Sequence, residues 1–208
     1  MSNAPAKIKR SQAERTAATR LALIESAKAL FAERGYANVN TEHLVEACGV
    51  TRGALYHHFG SKIGLFEAVV ESVQEEVAHA IEQEASRESD HWSGIKKGCV
   101  TFVRVCTQDN IRQILLVDAI SVLGFDRWRE IDTRHSMASL QAGLEECIKS
   151  GVLPEQPVEP LARLLSGAVN EASLWLAEAP YSQSRKKQIY SALNHMLEAL
   201  VAKYPNVK

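Results

Sequence analysis

Nothing in this chain has the spacing of a metal site. The four cysteines, Cys48, Cys99, Cys106 and Cys147, form no Cys-x-x-Cys pair, and none stands at a zinc-like distance from a histidine. His57 and His58 are adjacent, so on a helix they point apart and make a poor ligand pair. No metal and no cofactor is expected. Cys99 and Cys106 lie seven apart, on one helix face, where two packed thiols are far more common than a redox pair. No apolar run is long enough to cross a bilayer, and the first residues lack the apolar segment of a signal peptide. A soluble, cytoplasmic protein with no membrane partner is expected. There is no phosphate loop, nucleophile elbow or paired catalytic motif, which argues against an enzyme. Strand-type alternation and internal repeats are absent too, so the fold class is all-α.

What is present is one informative stretch, Val45-Glu-Ala-Cys-Gly-Val-Thr-Arg-Gly-Ala-Leu-Tyr-His-His-Phe59. It reads as a short helix, a tight turn at Gly49 and a second short helix, the pattern of a helix-turn-helix. Thr41 is placed to cap the first helix, which has Leu44, Val45 and Ala47 on its apolar face. Gly49 follows the last periodic residue, where a left-handed turn favours glycine. Thr51 caps the second helix, and Ala54, Leu55 and Phe59 face inward. Arg52, Gly53, Tyr56 and His57 are left facing outward. An arginine there pairs bidentately with a guanine edge, Tyr and His donate to phosphates, and Gly53 permits close approach. Upstream, Leu23, Ile24, Ala27, Leu30 and Phe31 recur with helical spacing until Gly35-Tyr36. Downstream, Ser61-Lys62 opens a fourth helix through Leu65, Phe66, Val69, Val70 and Val73, reaching about Ala85.

The run from Leu23 to Val70 resembles the DNA-binding domain of the tetracycline-repressor (TetR) family. The set Ala27, Leu30, Phe31, Gly35, Tyr36, then Thr41, Leu44, Ala47, Gly49, Val50, Gly53, Leu55, Tyr56, His58, Phe59, then Lys62 and Leu65 carries the likeness. Asn40-Thr41 stands where two hydroxyl residues are usual, and His43-Leu-Val-Glu replaces a commoner acidic-Ile-Ala. The resemblance implies phosphate contacts from Thr41 and Lys62, base contacts near Arg52 and Gly53, and backbone contacts from Tyr56, His57 and His58. With Thr51 these residues make up the expected DNA-binding set.

Charge agrees with that division. Residues 1–62 hold nine Lys/Arg and five Asp/Glu, a net of +4, while the whole chain is −1, which leaves −5 for the rest. A basic head on an acidic body suits a protein whose head alone meets DNA. The expected organisation is a flexible basic arm over 1–18, a three-helix head over 19–62, and a larger helical ligand-binding and dimerisation domain over 63–208, about nine helices in all. Breaks are expected at Ser86–Asp90, Gln108–Asn110, Gly124, Gly151–Pro160 and Pro180, with a single helix from Phe125 to Ser150. The alternation of charges at 126–132 reads as a salt-bridged helix face.

The last two helices are apolar over much of their circumference, and such a helix must be covered on two sides. Leu165, Ala168, Ala172, Leu193, Met196, Leu197 and Leu200 are the expected homodimer face, forming a four-helix interface. From Leu115 on, Val122-Leu-Gly124, Trp128-Arg-Glu-Ile-Asp132 and Leu164-Leu-Ser-Gly-Ala-Val-Asn-Glu-Ala172 resemble one widespread TetR-type C-terminal domain. Phe102, Asp118, Val122, Phe125, Trp128, His135, Met137, Asn170, Glu171 and Trp175 are candidates to line a pocket for a small-molecule inducer. The reading is a ligand-responsive regulator, a repressor that binds a palindromic double-stranded operator as a homodimer. An activator, or a sequence-tolerant DNA binder, would use the same head.

Overall fold

A computed structural model describes residues 11–178 and 182–201 of the protein. Helix α1 (Gln12–Arg34) begins at Ser11, whose hydroxyl accepts from the Glu14 amide while the Glu14 carboxylate accepts from the Ser11 amide. This reciprocal cap moves the helix start upstream of Thr19. Residues 12–18, expected to be arm, are therefore helical; residues 1–10 lie outside the described residues. Gly35, at φ 75°, ends α1, and a single 3₁₀ turn over Tyr36–Asn38 leads to α2 (Thr41–Cys48). Helices α3 (Arg52–Phe59) and α4 (Lys62–Ala85) complete the head.

The body follows as α5 (His91–Cys106) and then α6, built from Asp109–Arg112, a π-helical turn over Gln113–Asp118, and Ala119–Leu123. Asp109 and Asn110 belong to that helix, so the break before it falls at Thr107-Gln108. Gly124, at φ 82°, separates α7 (Phe125–Arg134). The expected single helix from Phe125 to Ser150 is two: His135, at φ −113° and ψ −97°, turns the chain into α8 (Ser136–Lys149). No glycine or proline marks that break. The His135 side chain is bonded to Glu71 of α4 at 2.8 Å, and this contact lies far away in sequence. Helices α9 (Val158–Ala177) and α10 (Gln183–Val201) finish the described chain; the expected stop at Pro180 lies outside the described residues.

One apolar core runs through head and body. In the head Leu23, Ile24, Ala27, Phe31, Leu44 and Leu55 are buried as the spacing predicts, Leu30 only partly, and Val39 joins them from the connection between α1 and α2. Phe66 of α4 meets the Phe31 ring edge-on at 5.1 Å and the Tyr36 ring at 4.8 Å. The head is thus incomplete without α4, whose Leu65, Phe66, Val69 and Val70 close it while Val73 and Val77 continue into the body. Expressed α4 length matters as well: 24 residues rising about 1.5 Å each make a rod of about 36 Å.

Candidate nucleic-acid interface and body cavity

Gly49 takes the left-handed conformation, φ 63° and ψ 31°, and sets α3 across α2. Thr51 caps α3 through its hydroxyl, which accepts from the Ala54 amide at 3.2 Å. The cap of α2 is Asn40, not Thr41. Asn40 Oδ1 accepts from the His43 amide at 2.8 Å, and His43 Nδ1 accepts from the Asn40 amide at 3.3 Å. Asn40 has the extended backbone an N-cap needs, and Asn is at least as good there as Thr. Thr41 moves into the first turn, where its hydroxyl bonds Tyr56.

Arg52, Gly53, Tyr56 and His57 are exposed on one side of α3, while Leu55 is buried beneath them. Arg52 donates to Glu42 of α2 at 3.0 Å and reaches the Tyr56 hydroxyl at 3.5 Å. These contacts hold its guanidinium over the Tyr56 ring and lower the Tyr56 phenol below its ordinary pKa, through the Arg52 bond first. An exposed pair of this kind is weak and yields readily to a phosphate or a base edge. Gly53 has no internal reason to be glycine. A Cβ there would meet only the Thr51 hydroxyl, at 3.9 Å. Gly64 differs: its Cβ would fall 2.2 Å from the Phe59 carbonyl. His58 is half-buried, its ring 6.1 Å from that of Phe59, so it is turned partly towards the head core.

Lys62 is held inside the head. Its ammonium donates to the Tyr36 carbonyl at 2.7 Å and lies 3.8 Å from the centre of the Tyr36 ring. Burial lowers its pKa. The expected phosphate contact therefore competes with an internal strut between α4 and the α1–α2 turn. Tyr36 is tied on its other side as well: its amide donates to Asp118 Oδ2 at 2.8 Å. Asp118, expected in a pocket, instead joins the π-helical turn of α6 to the head.

In the body a cavity of about 790 Å³ opens between the end of α4, α5, α8 and α9. Phe102 and Met137 line it as expected. The other pocket candidates stand elsewhere. Trp128 is packed in the core beside Phe125, and Phe125 is itself exposed. His135 bonds Glu71, Glu171 points to solvent, and Trp175 is 43 % exposed beneath the Arg185 guanidinium. Val122 is half-buried outside the cavity wall. Asn170 is buried one hydrogen bond behind the wall, its Nδ2 donating to Ser166 Oγ at 3.3 Å. Sequence reasoning missed most of the wall, including the polar residues Asp132, Ser136 and Ser166. By spacing Asp132 belongs to a charged helix face, yet it is buried, and the Ser166 hydroxyl of α9 donates to it at 3.5 Å. That charged face exists otherwise: Arg127 bonds Glu67 and Glu130. Cys99 also lines the cavity, and burial pushes its thiol up to about 12, which keeps it protonated and unreactive.

The expected dimer face divides in two. Leu165, Leu193 and Leu197 are buried within the chain and have no surface to offer. Ala168, Ala172 and Leu200 are half-buried, and Met196 is exposed. Leu164, left out of that set, is the most exposed large apolar residue at 73 %, and it shares one α9 face with Ala168 and Trp175.

A glycine-turned pair of short helices with an outward arginine, seated on a helical body with a cavity, defines a helix-turn-helix DNA-binding regulator. Known proteins agree. The family of bacterial regulatory proteins, tetR family, matches residues 23–69, and the tetracyclin repressor-like C-terminal domain matches residues 92–200. The chain belongs to the TetR family of transcriptional regulators, which are not enzymes. A TetR-family regulator from Pectobacterium atrosepticum is 34 % identical and superposes with a TM-score of 0.80, covering 93 % of this chain and 99 % of that one. The TetC protein of transposon Tn10 from Escherichia coli is 24 % identical over 159 residues, 76 % of this chain and 80 % of TetC. RolR bound to resorcinol shares the fold at 19 % identity, with a TM-score of 0.71 over 95 % of this chain and 100 % of RolR. Among the described residues no helix is long and apolar enough to cross a membrane, and no three metal-ligating side chains converge.

Proposed function

We propose that the protein is a repressor that binds a palindromic operator as a homodimer and releases it when a small molecule fills the body cavity. The observation that carries this is α4. Its first turn holds the head through Lys62 and Phe66, and its last two turns, with Ile81, Glu82 and Ala85, form one wall of the cavity. Between these ends α4 is fastened to α7 and α8 by Arg127–Glu67, Arg134–Glu71 and His135–Glu71. A ligand that wedges the cavity acts on a rod whose other end carries the reading helix. It need only favour the displaced state; about 2.7 kcal/mol of coupling corresponds to roughly a hundredfold change in operator affinity.

Thr41, Thr51, Arg52, Gly53, Tyr56, His57 and His58 are the proposed DNA-contacting set, with Arg52 reading a base. The proposed dimer face is Leu164, Ala168, Trp175 and Met196, extended by Ala172 and Leu200. To read a palindrome, the paired chains would hold their two heads about one DNA turn apart, ~34–36 Å. The test is selection of bound fragments from a genomic library, repeated with metabolite mixtures. Recovery of a short inverted repeat that a metabolite releases is expected. Recovery of random fragments with steep loss in salt would overturn the repressor reading.

A further inference from the structure

The cavity wall carries charge of one sign. Four carboxylates line it, Glu82, Glu88, Asp90 and Asp132, and neither lysine nor arginine does. Glu82, Glu88 and Asp90 stand at the mouth, where α4 gives way to α5. Asp132 lies at depth on α7 and is 1 % exposed. A carboxylate has about four acceptor sites. Those of Asp132 are thinly filled: the Ser166 hydroxyl donates to Oδ2 at 3.5 Å, and the Arg129 guanidinium stands 3.6 Å from the same oxygen. Arg129 approaches from outside the cavity wall, with its guanidinium over the Phe125 and Trp128 rings. The His135 ring also stands near Asp132, and it is engaged with Glu71. Burial consequently raises the Asp132 pKa above the usual carboxylate range. The remaining wall is largely apolar, with Ile95, Phe102, Met137, Leu140 and Val169.

A buried carboxylate held by only two long contacts beside largely apolar walls is a costly arrangement, and a ligand that supplies charge and donors reduces the cost. An anionic ligand would meet four carboxylates with neither lysine nor arginine to answer them; His91, beside Asp90, is the one imidazole on the wall. We infer that the cavity takes an organic cation, an apolar body of drug-like size bearing one ammonium or amidinium group that docks at Asp132. The volume of about 790 Å³ lies within the usual range for such ligands. Glu82, Glu88 and Asp90 steer the cation inward. This inference rests on the cavity being the effector site, and the test separates the two.

Occupancy is first read on the full-length protein with N-phenyl-naphthylamine, a neutral fluorophore, in wild type and in Leu140→Trp, which narrows the cavity. Calorimetry then compares three probes of similar shape: 4-phenylbutylammonium, its uncharged methyl isostere pentylbenzene, and 5-phenylpentanoate. The expected order is cation above isostere by about tenfold and above carboxylate by about a hundredfold. Asp132→Asn should bring the cation to within about twofold of the isostere. Fluorophore binding that Leu140→Trp abolishes, joined to equal or tighter binding of isostere or carboxylate, overturns the cation and leaves the cavity. Fluorophore binding that is absent, or indifferent to Leu140→Trp, overturns the cavity reading and the inference with it. The wild-type ranking of probes decides the matter even where Asp132→Asn fails to fold.

Discussion

The reading helix and the cavity wall use polar side chains in opposite ways. On α3, Arg52, Tyr56 and His57 stand in water and make only loose contacts, Arg52 with Glu42 at 3.0 Å and with Tyr56. In the body, Asp132, Ser166, Asn170 and Ser173 are buried together, with their hydrogen bonds partly filled. The first arrangement is inexpensive to hold and waits for a large polyanion. The second is costly to hold, and the proposed small ligand would relieve it. The difference teaches that the head needs only a correct outward face, whereas the body needs a particular three-dimensional enclosure.

Several substitutions break or sharpen that contrast. The largest effect is expected at Leu193. Placing glutamate there buries an unpaired charge in the body core, so Leu193→Glu should lose cooperative unfolding by circular dichroism rather than simply release a monomer. Leu164→Glu, on the exposed face, should keep its helical signal and sediment at half the mass; an unchanged sedimentation profile would move the dimer interface elsewhere.

Next, Arg52→Ala should cut operator affinity roughly ten- to hundredfold while leaving random DNA nearly unchanged, measured by competition binding. Equal weakening of both would remove Arg52 from base reading. Asp118→Ala strips the acceptor from the Tyr36 amide, an interior loss of about 1–3 kcal/mol. Amide exchange at Tyr36 should speed up, and the response of the head to cavity ligands should weaken; unaltered exchange would mean that water replaces the carboxylate.

A smaller, pH-dependent effect is expected at Asp132. Its folded pKa is raised, so its carboxyl favours the fold below the ordinary carboxylate range and that contribution is lost as pH rises through the folded value. Asp132→Asn should therefore raise the unfolding temperature at neutral pH, with the gain shrinking on acidification. A gain constant with pH would place its origin outside ionisation. The smallest effect is the most telling about the head. Gly53→Ala should stabilise the free protein by about 0.5–1 kcal/mol, since alanine suits an exposed helix better, and yet weaken operator binding. Stabilisation without loss of binding would show that α3 does not approach the bases closely at that point.

Legibility followed the range of the interactions involved. The turn at Gly49, the cap at Thr51 and the start of α4 at Ser61 depend on neighbours three or four residues away, and all three were readable. The cap of α2 was missed by one residue because Asn40 and Thr41 are both capable caps, and only the backbone chooses between them. The break at His135 was unreadable because its cause, Glu71, is 64 positions away. Asp118 resembled a pocket residue for a similar reason: its partner, Tyr36, is 82 positions away. Leu193 and Leu197 carried the right periodicity, but periodicity names a buried stripe without saying whether the cover is the same chain or a second one.

By itself, the sequence determined that this protein is all-α, that its head is a helix-turn-helix, and which side chains of the second short helix of that motif turn outward. Those features are written in local spacing, because hydrogen bonds within helices, caps and turns close between near neighbours. Tertiary structure alone decided that α4 joins head to cavity, that Asp118 and Lys62 clasp Tyr36 from two sides, and that Asp132 lies in an apolar enclosure. Each of these is a contact between segments far apart in the chain, and its energy depends on burial, which exists only once the helices have packed.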